Sequence, residues 1–204
     1  MEKQKIMLDS SVTKRSKCSL ELYRTLIQGY RSKINSQEIE FGTAFHLGVK
    51  IYEETLNIGI ASHAAAKYYK NKPMSRDSGK KYLTHEYLMF LLLEWEQKCF
   101  LQDSFTTLKD TNDNSKPLVE MKFEFKFWES EYCEIWLCGT MDKIGEHSSS
   151  HILAIGDYKT NSPIFKRDGV DPIDRFLKDY ELDGQLYFYT YCLGKHIQYL
   201  TKCI

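Results

Sequence analysis

The feature that most constrains the fold is a change in the spacing of apolar residues near the middle of this 204-residue chain. From Val119 to Phe127, apolar and charged residues alternate one by one, which is the pattern of a strand with one buried face. Upstream, to about Asp103, apolar residues recur at helical spacing instead. The sequence therefore predicts a mainly helical part at 1–105 and a sheet-bearing part at 117–204.

Helical spacing covers four segments of the first part and one of the second. These are Val12–Tyr30, Gly42–Leu56, Ala61–Lys70, Tyr82–Phe100 and Tyr180–Leu193. Prolines and a glycine at Ser162–Lys178 predict a loop before the last helix.

Further strands are predicted at Tyr132–Gly145, Ile152–Thr160 and Ile197–Cys203. Because the segment between the first two is short and serine-rich, they should pair as an antiparallel hairpin. The order of elements indicates a single α/β domain over 1–204, in which helices flank a mixed central sheet and a helical half precedes it.

Composition excludes several classes of protein. The 28 basic and 28 acidic side chains cancel, so a contact with nucleic acid must come from a local patch. No apolar run approaches the roughly 20 residues that span a bilayer, so we expect no membrane partner. The six cysteines have no close pairs and no export signal precedes them, so we expect free thiols and a cytoplasmic protein.

Charged residues stand near the ends of both arms of the predicted hairpin. Asp157 and Lys159 share a face because they are two residues apart in a strand, and antiparallel pairing can bring Asp142 beside them. Two carboxylates about 4 Å apart repel by roughly 4 kcal/mol at an effective dielectric of 20, and Mg²⁺, which prefers oxygen ligands, removes that repulsion. The alternative is a solvated surface ion pair, which is the usual meaning of an Asp-x-Lys sequence.

Several short motifs, in this order, resemble the RecB-like branch of the PD-(D/E)XK nucleases, which includes CRISPR spacer-acquisition and recombination nucleases. They are Gly-Thr-Ala-Phe-His at 42–46, Gly-Thr-Met-Asp-Lys-Ile at 139–144, Gly-Asp-Tyr-Lys-Thr at 156–160 and Gln-Leu-Tyr-Phe-Tyr at 185–189. Met141 stands where the name of the superfamily has proline. The resemblance implies a restriction-endonuclease-like core.

The resemblance also implies roles for individual residues. Asp142 and Asp157 would be the metal-binding, catalytic carboxylates, and Lys159 would be the catalytic lysine. His46 and the backbone carbonyl of Tyr158 would be further metal ligands. Mg²⁺ is the expected cofactor, and Mn²⁺ should substitute well because one ligand is a histidine.

Three more residues match supporting positions of the family. Gln185 and Tyr189, four apart on one helical face, would support the site and contact DNA, although ordinary packing of the last helix explains them too. Glu120 matches a glutamate of the preceding strand, with a surface role as the alternative. An iron–sulfur cluster is not expected, because only Cys192 and Cys203 follow Cys18 at the late positions and such a cluster needs three or four thiolates.

The resemblance therefore implies a Mg²⁺-dependent deoxyribonuclease, with exonuclease action in DNA recombination, repair, phage replication or CRISPR adaptation as the expected setting. The implied partners are single-stranded DNA or duplex ends, a helicase or recombination protein, and a second copy of the chain. A different interpretation stays open at this point: an inactive nuclease-fold module that binds DNA or a protein partner without cutting.

Overall fold

A computed structural model describes residues 3–10, 12, 19–30, 35–71, 83–101, 105–110, 113, 116–160 and 184–202. Along the chain the described elements are β1 (Gln4–Leu8), α1 (Ser19–Leu22, continued by a π-helical turn at Tyr23–Ile27), α2 (Gln37–Thr55), α3 (Ile58–Lys70), α4 (His85–Trp95, continued by a π-helical turn at Glu96–Phe100), β2 (Phe105–Thr107), β3 (Val119–Glu129), β4 (Cys133–His147), β5 (Leu153–Gly156) and α5 (Gly184–Lys202). The protein is therefore of the α/β class.

The described strands form a mixed five-stranded sheet in which β4 pairs with each of the other four. β1 runs parallel to β4, with Gln4 opposite Cys133. β2 and β5 run antiparallel to it, and Lys143 of β4 lies opposite Gly156 of β5. The predicted hairpin is thereby confirmed, although β5 ends at Gly156 and not at Thr160.

Three of the predicted helices are confirmed as α2, α3 and α4. Each is preceded by a residue whose side chain accepts a hydrogen bond from the backbone N–H three residues later, which satisfies an otherwise unpaired donor. The acceptors are Ser36 (3.4 Å), Asn57 (3.1 Å) and Thr84 (3.2 Å). Of the predicted helix Val12–Tyr30, the segment Ser19–Ile27 is helical.

One expectation was wrong. The strand predicted at Ile197–Cys203 is helical through Lys202, where α5 ends, because a short apolar run fits either period and here continues the hydrogen bonding of the helix before it. The N-terminal part, which was predicted to be mainly helical, also contains the short strand β1 at Gln4–Leu8. The predicted loop Ser162–Lys178 lies outside the described residues.

The chain folds as two compact units, of which the first comprises Met1–Arg31, Lys122–Met141 and Asn161–Ile204. In this unit the Phe123 ring lies 6.1 Å from the Tyr189 ring of α5. A Cβ atom on Gly139 would stand 2.8 Å from Cζ of Phe123, so the glycine lets that ring lie close to β4. The buried hydrophobic residues described here are Phe123, Leu137, Met141, Tyr189, Cys192 and Leu193.

The second unit comprises Ser32–Met121 and Asp142–Thr160. Its core joins α2, α3 and α4, and Gly48 allows close packing because a Cβ atom there would stand 2.6 Å from Cδ1 of Leu92. Among the described helices, none has the length and apolar character that a membrane crossing requires. The core residues are Phe41, Ala44, Phe45, Val49, Tyr52, Ala61, Ala65, Tyr69, Leu83, Leu88, Leu92 and Trp95.

Candidate metal centre

Three elements of the second unit each contribute one side chain to a compact polar group. His46 comes from α2, Glu120 from the start of β3 and Asp142 from β4. One ligand-type atom of each lies within 4.8 Å of the other two. An imidazole and two carboxylates at this spacing are a donor set suited to a divalent cation.

The imidazole of His46 occupies the space between the two carboxylates. Its Nδ1 lies 3.0 Å from Oε1 of Glu120 and 3.4 Å from Oδ1 of Asp142. On the other side of the ring, Nε2 donates to the backbone carbonyl of Tyr158 at 3.0 Å. All three partners accept hydrogen bonds, so both ring nitrogens carry protons and the side chain is an imidazolium.

The pKa of His46 agrees with this geometry. Burial lowers that pKa, but the hydrogen bonds and charges of Asp142 and Glu120 outweigh burial and raise it to about 10. The imidazolium therefore supplies the positive charge that keeps the two carboxylates together.

Tyr158 ties two members of the group together through its backbone. Its N–H donates to Oδ2 of Asp142 at 2.7 Å, while its carbonyl accepts from Nε2 of His46. A hydrogen bond from the far nitrogen to a carbonyl is the usual way in which a ligating histidine is oriented. Nδ1 is the atom of His46 that faces the two carboxylates. The Tyr158 carbonyl accepts a hydrogen bond from Nε2, and its predicted role as a metal ligand stays a prediction.

Glu120 reaches the group because its backbone departs from the strand conformation. Its φ angle is +50°, in the left-handed region that residues other than glycine rarely adopt. Such a residue interrupts the in–out alternation of a strand and redirects its side chain. Simple alternation from Val119 left a surface role open for Glu120; the structure places its carboxylate on His46.

Asp157 and Lys159 pair with each other. Nζ of Lys159 lies 2.7 Å from Oδ2 of Asp157, and the two side chains are 31% and 2% exposed. Asp157, predicted as a metal ligand, is not a member of the His46–Glu120–Asp142 group. Lys159 lines a cavity of about 460 Å³ whose wall includes His46 and Glu120.

The cavity wall also contains Gly42, one helical turn before His46. A Cβ atom on Gly42 would stand 3.3 Å from Oγ1 of Thr160, a contact tighter than most side chains make. The absence of a side chain thus lets the segment after β5 approach α2, which brings Tyr158 to His46.

Gln185 and Tyr189 belong to the first unit. Both are buried on α5, where Nε2 of Gln185 donates to the Tyr189 hydroxyl at 3.1 Å. The same hydroxyl lies 3.4 Å from Oγ of Ser10. Their predicted roles in site support and DNA contact stay predictions. Cys18 and Cys203 lie outside the described residues, so the expectation about an iron–sulfur cluster also stays a prediction.

Comparison of the chain with protein-family models, with curated proteins and with solved structures found no match.

Proposed function

We propose that this protein is a metal-dependent nuclease that hydrolyses phosphodiester bonds in DNA, with Mg²⁺ as its cofactor and Mn²⁺ as a substitute. The observation that carries the proposal is the convergence of His46, Glu120 and Asp142 within 4.8 Å. The order of motifs shared with the RecB-like nucleases supports it, and a restriction-endonuclease-like form of the α/β fold is part of the same proposal.

In this proposal, Asp142, Glu120 and Nδ1 of His46 hold the cation. When bound, a divalent cation would neutralise charge on a phosphate and make water a stronger nucleophile. To hold a cation, Nδ1 of His46 would first have to lose its proton to solvent, whereas Nε2 donates to the carbonyl of Tyr158 at 3.0 Å and would keep its proton. The hydrogen bond from the Tyr158 N–H orients Asp142.

Lys159 binds the scissile phosphate and neutralises the charge that develops on it. Its side chain is 31% exposed on the cavity wall, and its ammonium is held by the buried carboxylate of Asp157. Asp157 accordingly acts here as a positioning residue for Lys159. Because these groups address the phosphate and not the bases, cleavage should show little sequence preference.

The test is cleavage of end-labelled single- and double-stranded DNA in the presence of Mg²⁺, with divalent-ion binding measured in parallel by calorimetry. Asp142→Asn should abolish both cleavage and metal binding. Lys159→Ala should lower the cleavage rate by about 100-fold or more while metal binding persists, and Asp157→Ala should behave like it. The matched control is Glu146→Gln, four residues along β4, whose carboxylate pairs with His151 outside the metal centre.

Two results would overturn the proposal. Cleavage at the wild-type rate by both Asp142→Asn and Lys159→Ala would exclude the assigned groups. DNA binding without cleavage, and without any divalent-ion binding that depends on Asp142, would identify an inactive binding module. Release of single nucleotides or of internal fragments from the labelled DNA distinguishes exonuclease from endonuclease action.

A further inference from the structure

The second unit buries a complete ion pair close to the candidate metal centre. Nζ of Lys143 lies 3.0 Å from Oε1 of Glu53, and the two side chains are only 5% and 4% exposed. Lysine and glutamate are among the residues least often buried to this degree, and they are buried only when paired.

Neighbouring residues donate hydrogen bonds to Glu53 and leave room for the side chain of Lys143. The Thr107 hydroxyl contacts both oxygens of Glu53, at 3.0 and 2.8 Å. The Lys143 ammonium also lies 5.2 Å from the centroid of the Phe105 ring, within range of a cation–π contact. A Cβ atom on the facing Gly156 would stand 3.3 Å from Cβ of Lys143, so the glycine leaves room for the lysine stem.

Stability alone does not account for such a pair. Burying two charges costs desolvation free energy that their attraction barely offsets, and apolar residues of the same volume are often as stable or more stable. An ion pair differs from apolar packing because it is directional. Its hydrogen bonds form only when the two charged groups hold one position relative to each other.

The pair joins the same two elements as the metal centre. Glu53 lies seven residues after His46 on α2, which is two helical turns and therefore the same side of the helix. Lys143 directly follows Asp142 on β4. Because the two residues are adjacent on one strand, holding Lys143 also holds the backbone that carries Asp142.

We propose that Lys143 and Glu53 are positioning residues that fix β4 against α2 and thereby set the distance between Asp142 and His46. The inference rests on the proposed metal centre and adds to it two residues that touch no ligand. Loss of the pair should weaken metal binding even in a protein that remains folded.

The experiment measures the affinity of the full-length protein for Mn²⁺ alone, by calorimetry and by the electron paramagnetic resonance spectrum of the bound ion. The double variant Glu53→Leu/Lys143→Met replaces the pair with apolar side chains of similar volume. It should keep its circular dichroism spectrum and bind Mn²⁺ about 10–100-fold more weakly, the usual effect of removing a group that orients a ligand. Lys143→Arg, which keeps the charge, should retain most of the affinity.

The control is Glu94→Gln/Lys98→Met, which removes an ion pair of the same unit whose lysine is exposed; its Mn²⁺ affinity and spectrum should not change. Wild-type affinity and spectrum in the folded double variant would overturn the proposal. If the double variant does not fold, Glu53→Gln decides instead: it keeps an acceptor for Thr107 and lacks the charge, and unchanged affinity in that variant overturns the proposal.

The outcomes separate this inference from the proposed function. A wild-type protein that binds no Mn²⁺ overturns the metal centre and the positioning role together. A wild-type protein that binds Mn²⁺ but cuts no DNA overturns the nuclease assignment alone, and the effect of Glu53→Leu/Lys143→Met on affinity still tests the positioning role.

Discussion

Removal of the positive charge at His46 should destabilise the metal-free protein by leaving two carboxylates facing each other. The ligand atoms of Glu120 and Asp142 lie within 4.8 Å, and two unit charges at that distance repel by roughly 3.5 kcal/mol at an effective dielectric of 20. The Glu120 side chain is 27% exposed, so solvent screens part of this repulsion. We expect His46→Gln to lower the free energy of unfolding by about 2–3 kcal/mol.

The measurement is urea unfolding in EDTA, followed by circular dichroism just below pH 6.5. This pH is chosen because the pKa of His46 is 6.5 when unperturbed and about 10 in the folded protein. A group whose pKa is raised on folding adds to the free energy of unfolding. This contribution is complete at a pH below the pKa of the unfolded state, and it is lost as the pH rises to the pKa of the folded state. The destabilisation by His46→Gln should therefore be largest at the lower pH and shrink towards pH 10.

A double-mutant cycle measures the coupling between His46 and Glu120, whose Nδ1 and Oε1 lie 3.0 Å apart. Glu120→Gln removes one of the two charges, so His46→Gln/Glu120→Gln should be more stable than the sum of the two single effects predicts, by at least about 1 kcal/mol. Excess Mg²⁺ should also restore part of the stability that His46→Gln loses, since a cation between the two carboxylates would replace the positive charge of the imidazolium. A His46→Gln protein as stable as wild type in EDTA, or a cycle with no interaction energy, would refute the reasoning.

Two further predictions concern packing. In Gly145→Ala, the new Cβ atom would stand 2.5 Å from the backbone oxygen of Thr106. Thermal unfolding should therefore show that the free energy of unfolding falls by about 1–3 kcal/mol. The control is Gly194→Ala on α5, where a new Cβ atom would have nothing within 4 Å, and this change should be neutral or stabilising. Burial and the nearby Cys138 raise the pKa of Cys192 to about 12, so peptide mapping after brief alkylation should find Cys192 unmodified while the exposed Cys99 reacts; equal labelling would contradict this placement.

The helices could be predicted from the sequence because their signals are local. On α2, the buried Phe41, Phe45, Val49 and Tyr52 recur every three or four residues, and this stripe alone marks the face that packs. β1 carries no such signal. Its residues pair with Cys133–Leu137 in β4, far along the chain, and that partner decides the conformation of a short segment in which lysine and apolar residues are mixed.

From residue patterns alone, without the family resemblance, the candidate site could be predicted only where regular geometry holds. His46 and Asp142 lie within a helix and a strand, so their position along the element also gives their direction. Glu120 has a φ angle of +50°, which no rule of alternation anticipates. β5 ends at Gly156, so the same-face rule no longer applies to Asp157 and Lys159, and the contact that they make with each other depends on the irregular backbone that follows.

The backbone of Tyr158 distinguishes the metal centre from an ordinary cluster of surface charges. One residue donates its N–H to Asp142 and offers its carbonyl to His46, so the acid and the imidazole are oriented by the same short segment. Solvated ion pairs lack such backbone support, and their side chains reorient freely. Two of the three side chains of the candidate site are thus oriented by the chain itself, which is the preorganisation that the proposed metal centre would need.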